Sequence, residues 1–199
     1  MFSVVIQAGG KSSRMGSNKA LLPLCGQTLI EHVINRFSNC TDDLIIISSK
    51  IAELDIYGYP VYQDMSPGVG PLMGLYTGLN YSKHDCVAVV ACDMPFANPA
   101  LIQEEARLLT VFKWDVVIPV VAGKSEPLHA VYNRMVCLKA IGSGMAAGMH
   151  RLIDWHSEVK VHEMREEEIK RFDPMGLAFF NINTPEDLEN AEELIKKGE

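Results

Sequence analysis

Short apolar stretches rich in valine and isoleucine recur along the chain, separated by longer segments of mixed character. The stretches are continuous and do not alternate with polar residues, which is typical of strands that are buried on both faces of a sheet. This pattern predicts five strands, at residues 4–6, 44–47, 87–90, 116–121 and 178–180 with Ile182.

Start signals for helices lie between these strands. Thr28 and Glu31 form a capping box that precedes apolar positions at four-residue spacing. Asn98-Pro99 and Thr184-Pro185 each place a capping residue before a proline at the first helical position. The charged run at residues 163–171 indicates a solvated helix or loop face.

The alternation of strands and helices predicts a Rossmann-like α/β fold, a three-layer α/β/α sandwich around a mainly parallel sheet. The length of 199 residues favours a single domain over residues 1–199. In open sheets of this kind, ligands bind at the carboxyl ends of the strands. The segments that follow the predicted strands are therefore the candidate site, and the strand at 178–182 is expected to end in Asn181 and Asn183.

Composition excludes several classes of protein. Hydrophobic residues make up 48% of the chain and charged residues 22%, which is typical of a folded domain. The net charge of −7 argues against a nucleic-acid partner, which would require a basic face. Five cysteines without a C-x-x-C pair indicate free thiols in a reducing compartment. With a first strand near residue 2 and no apolar run of about 18 residues, we expect a cytoplasmic protein with no membrane partner.

The first strand ends in two glycines, Gly9 and Gly10, and Arg14, Gly16 and Lys19 follow. Glycines let backbone N–H groups approach a polyphosphate closely, and the two cations can neutralise its charge. This arrangement indicates a phosphate-binding loop. The alternative is a tight turn between a strand and a helix, with its charges in solvent.

Two common phosphate-binding motifs do not fit this chain. A P-loop that ended at Gly10-Lys11-Ser12 would need glycine at position 5, where the chain has Val5. The dinucleotide fingerprint fails because Gly68-Val69-Gly70 is followed by Met73, where a third glycine belongs.

A set of five segments resembles the sugar-nucleotide-type nucleotidyltransferases, and among them most closely the molybdenum cofactor guanylyltransferases. The segments follow the family's order along the chain: residues 8–22 (AGGKSSRMGSNKALL), 66–75 (SPGVGPLMGL), 91–96 (ACDMPF), 126–128 (EPL) and 181–188 (NINTPEDL). The first loop marks only the broad group, whereas the whole set is more specific.

Asp93 is the candidate metal ligand. It follows an apolar strand, and Met94-Pro95 favours an extended exit that keeps it off a helix. Its carboxylate suits Mg²⁺, which binds one or two carboxylates together with substrate phosphates. The alternative is a carboxylate that caps the turn at the end of the strand. Asn181 or Asn183 could reach the same ion, or Asn183 could merely lead into the cap at Thr184.

The resemblance implies a role for each matching position. It implies catalytic roles for Arg14, Lys19 and Asp93, with Asp93 as the Mg²⁺ ligand. It implies an acceptor site at Glu126, Pro127, Asn181 and Asn183. It implies a nucleotide site at Gln7, Ala8, Gly9, Gly10, Lys19, Ser48, Asp64, Gly70, Gly74 and Asp93. Ser48 departs from the asparagine of some members, and serine lacks the paired donor and acceptor of an amide. His129 could bind a phosphate of the acceptor, or it could serve only as a hydrogen-bonded structural residue.

The resemblance also implies a reaction, the Mg²⁺-dependent transfer of GMP from GTP to molybdopterin or Mo-molybdopterin, with release of pyrophosphate. GTP and the pterin are the expected substrates, and maturation proteins of molybdoenzymes are further candidate partners. Two alternatives stay open. One is a cytidylyltransferase of the same cofactor or a nucleotidyltransferase for another phosphorylated acceptor. The other is a non-catalytic protein that binds and delivers the nucleotide or cofactor.

Overall fold

The computed structural model describes residues 1–9, 18–65 and 70–198, which form ten strands and seven α-helices. The strands are β1 Ser3–Gln7, β2 Pro23–Leu24, β3 Gln27–Thr28, β4 Leu44–Ile47, β5 Val61–Tyr62, β6 Cys86–Ala91, β7 Val116–Val121, β8 Lys124–Ser125, β9 His129–Asn133 and β10 Val161–Met164. The helices are α1 Leu29–Phe37, α2 Ile51–Leu54, α3 Pro71–Tyr81, α4 Pro99–Phe112, α5 Arg134–Ala146, α6 Glu166–Ile169 and α7 Pro185–Lys197. No helix of this described part of the chain has the length and apolar character that crossing a membrane requires.

The main sheet has the order β10-β7-β9-β6-β1-β4-β5, and β8 pairs with β7. Along this order, all neighbouring strands are parallel except for the two pairs that involve β9, which runs antiparallel to β6 and β7. β1 lies in the interior of the sheet between β4 and β6, where Val5 is in register with Ile45 of β4 and Val89 of β6. The expected mainly parallel sheet is confirmed.

Both faces of the sheet are covered by helices. On one face, Val4 and Ile6 of β1 belong to a buried cluster that includes residues of α1 and α4. On the other face, Val5 belongs to a second cluster that includes residues of α3 and α5. Successive strand residues point to opposite faces, so continuous apolar runs are needed to fill both clusters. The expected three-layer sandwich is confirmed.

The predicted helix starts are confirmed. At α1 the Thr28 hydroxyl accepts from the Glu31 backbone N–H at 3.4 Å, and the Glu31 carboxylate accepts from the Thr28 N–H at 2.7 Å. Asn98 caps α4 through the N–H groups of Ala100 and Leu101. Thr184 and Asp187 form the capping box of α7.

The predicted strand at 178–182 is wrong. A 3₁₀ turn occupies Leu177–Phe179, and the chain then continues without strand pairing. The carboxylate of Asp173 accepts hydrogen bonds from the N–H groups of Leu177 and Ala178, so these donors need no neighbouring strand. Ile182 is buried in a separate apolar cluster beside Phe96 and Leu24.

The interpretation of residues 163–171 as a solvated helix or loop holds only in part. Glu163 and Met164 belong to the edge strand β10, which pairs in parallel with β7. Glu166–Ile169 forms a short helix, and its last residue, Ile169, is buried. The apolar pattern did not predict β10 because only one face of this edge strand contacts the core, and its other positions are charged or polar.

We expect Gly78→Ala to destabilise the fold. A Cβ at position 78 would lie 2.6 Å from Val5 Cγ1, which no real Cβ contact tolerates. Overpacking should lower the free energy of unfolding by about 1–3 kcal/mol, although alanine has the higher helix propensity. Urea unfolding followed by circular dichroism measures the change.

Gly142→Ala in α5 is the matched control for this substitution. Its Cβ would meet only Tyr76 Cε2, at 3.9 Å. It should therefore raise the free energy of unfolding by about 0.5–1 kcal/mol through helix propensity. Equal effects of the two substitutions would contradict the close approach of α3 to β1.

Candidate active site

The side chains of Lys19, Asp93 and Asn183 meet at the carboxyl edge of the sheet. The Lys19 ammonium donates to Asp93 Oδ2 and, at 2.8 Å, to Asn183 Oδ1. The side chains of Lys19 and Asp93 are 21% and 20% exposed, so solvent and small ligands can reach the pair. Lys19, Asp93 and Asn183, which the sequence analysis took from three separate motifs, therefore form one cluster.

Each member of this cluster is positioned by its own local structure. Lys19 starts a 3₁₀ turn, Lys19–Leu21, whose cap is the Asn18 side chain. Asp93 lies in the turn after β6, where its carbonyl accepts from the Ile182 N–H at 3.0 Å. This hydrogen bond holds the segment before α7 against the end of β6 and brings Asn183 to Asp93.

The Asp93 carboxylate does not cap the turn that contains it. Within the described residues its hydrogen-bond donor is Lys19, and no backbone N–H donates to it. The turn is closed instead by the Met94 N–H, which donates to the Ala91 carbonyl at 3.3 Å. The carboxylate is thus paired with a cation at the edge of the sheet, as a metal ligand would be.

Ser48 and Ala8 join the ends of β1 and β4. The buried Ser48 hydroxyl donates to the Ala8 carbonyl at 3.1 Å and accepts from the Lys50 N–H at 3.0 Å. The Ala8 N–H donates to the Ile47 carbonyl at 2.9 Å. The Ser48 side chain therefore fixes the start of the glycine loop at Gly9, while its predicted contact with a nucleotide stays a prediction.

Gly70 directly precedes α3, and Asp64 contacts Thr77 in the middle of that helix. Asp64 Oδ1 accepts from the Thr77 hydroxyl at 3.2 Å, and burial raises the pKa of this carboxyl. Gly70 has a φ of +117°, a conformation that side chains rarely adopt, and Pro71 then starts the helix. A glycine is therefore required at the entry to α3.

Gln7 and Gly74 face each other between β1 and α3. The Gln7 side chain is buried, and a Cβ at position 74 would lie 3.2 Å from Gln7 Oε1. The buried Gln7 Nε2 has no hydrogen-bond partner among the described residues.

The predicted acceptor residues lie on the segment that joins β8 to β9 and on the approach to α7. Glu126 is partly buried, and burial raises the pKa of its carboxyl. The Pro127 carbonyl accepts from the Tyr132 hydroxyl at 2.6 Å. The Asn181 amide donates to the Phe179 carbonyl at 3.0 Å, so it holds a local turn, unlike Asn183 in the cluster. The Leu128 carbonyl accepts from the Ala91 N–H, which ties this segment to the strand before Asp93.

His129 is fully buried and pairs with a carboxylate that the sequence analysis missed. Its Nδ1 lies 3.4 Å from Glu105 Oε1, and its Nε2 accepts from the Asn98 N–H at 3.2 Å. The structural interpretation of His129 therefore holds. The signal for Glu105 was available, because this acidic residue falls within the apolar stripe of α4, between Leu101 and Leu109.

Two of the predicted site residues, Gly10 and Arg14, lie outside the described residues, as do residues 66–69 of the second glycine-rich segment. The remaining nucleotide residues lie at the carboxyl ends of β1 and β4 and along α3: Gln7, Ala8, Gly9, Ser48, Asp64, Gly70 and Gly74. Their roles stay predictions.

Comparison with known proteins matches residues 4–160 to the family model "MobA-like NTP transferase domain". The chain belongs to this family. It is 37% identical over 99% of its length to a probable molybdenum cofactor guanylyltransferase of Natranaerobius thermophilus, covering 98% of that protein. It is 34% identical over 98% of its length to the molybdenum cofactor guanylyltransferase of Desulfosudis oleivorans, covering 96% of it.

Solved structures of MobA-like and related proteins share the fold. Molybdopterin-guanine dinucleotide biosynthesis protein A of Archaeoglobus fulgidus superimposes with a TM-score of 0.85 at 26% identity, over 98% of this chain and 100% of that one. The 2-C-methyl-D-erythritol 4-phosphate cytidylyltransferase of Thermus thermophilus superimposes with a TM-score of 0.73 at 18% identity, over 98% of both chains. At this identity the likeness shows only that the fold is shared. The predicted enzyme class, a nucleotidyltransferase, is confirmed by the family.

The buried Glu105–His129 pair makes stability depend on pH. Burial raises the pKa of Glu105 from 4.5 to about 7. The folded protein therefore keeps this proton where the unfolded chain loses it, and the associated stability disappears as pH rises from about 4.5 to 7. Glu105→Gln, which cannot ionise, should match the wild type near pH 4 and exceed it at pH 8 by on the order of 1–3 kcal/mol.

Urea unfolding of both proteins across this pH range measures the difference. Glu104→Gln is the control, because the neighbouring Arg107 lowers the pKa of Glu104. That substitution should not produce a gain at pH 8. A pH-independent difference between Glu105→Gln and wild type would show that folding does not shift the pKa of Glu105.

Proposed function

We propose that this nucleotidyltransferase transfers GMP from GTP to the terminal phosphate of molybdopterin or Mo-molybdopterin, releasing pyrophosphate and forming the guanine dinucleotide cofactor. The observation that carries the proposal is the Lys19–Asp93–Asn183 cluster at the carboxyl edge of the sheet. Near-full-length relatives with that name support the choice of nucleotide and acceptor.

The donors of this cluster fit Mg²⁺. A carboxylate oxygen of Asp93 and the amide oxygen of Asn183 converge on one cation, the Lys19 ammonium, and both are hard oxygen ligands. Within the described residues, no three His, Cys, Asp or Glu side chains form a metal site by themselves. This suits Mg²⁺, which completes its shell with water and substrate phosphates. When bound, the ion supplies charge stabilisation at the phosphates.

The chain's own residues bind and orient the phosphates. The acceptor phosphate attacks the α-phosphorus of GTP, and the bond to the departing pyrophosphate breaks. Lys19 leaves Asp93 to neutralise the triphosphate and then the pyrophosphate, and Asp93 and Asn183 would then be the residues that hold Mg²⁺. The acceptor is already an anion, so the reaction needs no covalent enzyme intermediate.

The remaining assignments belong to the same proposal. The protein acts as one domain in the cytoplasm, with Arg14 as a second catalytic cation and maturation proteins of molybdoenzymes as partners. The nucleotide contacts Gln7, Ala8, Gly9, Gly10, Ser48, Asp64, Gly70 and Gly74, and the acceptor contacts Glu126, Pro127, Asn181 and Asn183. A mere carrier of the cofactor would not need the cation–carboxylate pair of Lys19 and Asp93.

The choice of nucleotide is tested by pyrophosphate release with GTP, CTP or ATP, each with and without molybdopterin. We expect release with GTP to exceed release with CTP or ATP on the order of a hundredfold, and only in the presence of molybdopterin, because hydrogen-bonding sites reject bases that leave polar groups unpaired. Equal turnover with CTP would overturn the guanylyl assignment and keep the reaction class. No turnover with any triphosphate would favour a delivery protein.

The role of the cluster is tested with Asp93→Asn and Lys19→Ala. Asp93→Asn keeps the size of the side chain but removes its charge, so turnover should fall by a factor equivalent to about 3 kcal/mol while GTP still binds. Lys19→Ala should weaken GTP binding as well as turnover, because its charge acts on the ground-state phosphates. Titration of GTP and steady-state kinetics separate the two effects.

Asp42→Asn is the matched control for these variants. Asp42 also pairs with a lysine, Lys83, at 2.8 Å, but it precedes β4 and so lies at the opposite edge of the sheet. Its substitution should leave both binding and turnover unchanged. A folded Asp93→Asn protein with full activity in Mg²⁺ would refute the proposed role of Asp93.

A further inference from the structure

Gln7 ends the interior strand β1, and its buried amide lacks a hydrogen-bond partner among the described residues. The residue is 6% exposed, and its Nε2 has no acceptor within residues 1–9, 18–65 and 70–198. A buried N–H without an acceptor is destabilising, and Val5, which lies on the same face of β1, belongs to an apolar cluster. Leucine would fill the same space without this penalty, so the amide points to a partner outside the described chain.

The packing of α3 leaves room for this amide. Two glycines one turn apart on α3, Gly74 and Gly78, face β1 at Gln7 and Val5. A Cβ at position 74 would lie 3.2 Å from Gln7 Oε1 and 3.5 Å from Nε2. The absence of a side chain at Gly74 therefore allows the amide to lie flat against the start of the helix.

The amide lies on the opposite face of the sheet from the cationic cluster. Ile6 and Ala8 belong to the same buried layer as Ala20, which follows Lys19. Side chains alternate along a strand, so Gln7 points to the other layer, towards α3. Phosphates require the positive charge of Lys19, whereas Gln7 is neutral and the carboxylate of Asp64 lies against the same helix. The side of α3 therefore suits the uncharged end of the nucleotide, its base.

We propose that Gln7 Nε2 donates a hydrogen bond to the O6 carbonyl of the guanine base and so determines which nucleotide the enzyme accepts. This inference rests on the proposed function. With Nε2 facing the base, the equivalent positions of adenine and cytosine carry amino groups, which are donors themselves and leave Nε2 unpaired. One buried donor thus favours guanine over both competing bases.

The experiment measures dissociation constants of three triphosphates by isothermal titration calorimetry, in Mg²⁺ and without acceptor. GTP and ITP carry the 6-oxo group, whereas 2-aminopurine riboside triphosphate lacks it. In Gln7→Leu, the preference for GTP over the 2-aminopurine nucleotide should fall about tenfold, the effect of one hydrogen bond. ITP should lose affinity in parallel with GTP, and the 2-aminopurine nucleotide should bind as before.

Three further variants distinguish a loss of base recognition from a loss of folding. Gln7→Met removes the donor without branching the side chain and should behave like Gln7→Leu. Gly74→Ala keeps Gln7 but places a methyl group where its amide lies, so it should lose the same preference in a folded protein. Gln103→Leu makes the same chemical change at an exposed position of α4 and should leave all three constants unchanged. Urea unfolding should show Gln7→Leu to be at least as stable as the wild type.

The outcomes separate this inference from the proposed function. If GTP binds and turns over but the Gln7 variants keep the full preference for the 6-oxo group, Gln7 is not the base-reading residue, and the guanylyltransferase assignment stands. If the wild type shows no preference for GTP over ATP and CTP, the proposed function fails as well. A Gln7→Leu protein that is less stable than the wild type would show that the amide is paired within the protein.

Discussion

The arrangement of the candidate site depends on the pairing of β1 with both of its neighbours at their carboxyl ends. The Gln7 carbonyl accepts from the Cys92 N–H at 3.0 Å, and the Ala8 N–H donates to the Ile47 carbonyl at 2.9 Å. These hydrogen bonds extend the ladders just past the strands, so the chain enters the glycine loop from a fixed point. Because parallel strands end at the same edge, Ser48 and Asp93 are delivered beside that point.

The charge differs between the two faces of the sheet at this edge, one bearing the Lys19–Asp93 pair and the other facing α3. Lys19 and Asp93 pair at the surface, at about one-fifth exposure, where a cation and a carboxylate remain available to ligands. In the free protein the ammonium compensates the carboxylate, and Asn183 shares the same cation. On the side of α3 the described residues include the neutral Gln7 amide, the Thr77 hydroxyl and the Asp64 carboxylate. A nucleotide with a charged triphosphate and a neutral base matches this division.

A buried polar network lies beside this edge, at the end of β6, where His129 is in register with Val90. His129 links Glu105 of α4 to the backbone of Asn98, and it packs edge-on against Phe179 at 5.1 Å. Asn98 in turn caps α4 and donates to the Phe172 carbonyl. One histidine of β9, His129, therefore contacts both the start of α4 and the segment before α7. The acceptor segment at Glu126 and Pro127 is anchored directly before this histidine.

The sequence by itself determined the layers, the first four predicted strands and the capped helices. Apolar runs such as residues 44–47 must be buried on both faces, and the caps at Thr28, Asn98 and Thr184 satisfy local donors, so both signals are contained in a few adjacent residues. Family resemblance also named Lys19, Asp93 and Asn183, but not their contact.

Tertiary structure alone decided which polar residues contact one another. It also decided where an apolar run does not form a strand. Residues 178–180 have the apolar character of a strand, yet Asp173 satisfies their backbone donors and leaves them as a turn. Glu105 and His129 are far apart in the sequence and ordinary in composition, and only the packing of α4 on β9 makes them a buried pair. The same holds for Gln7, whose amide is buried without a partner among the described residues because α3 approaches β1 at Gly74. Contacts between distant segments depend on how whole layers pack, and no local pattern encodes that packing.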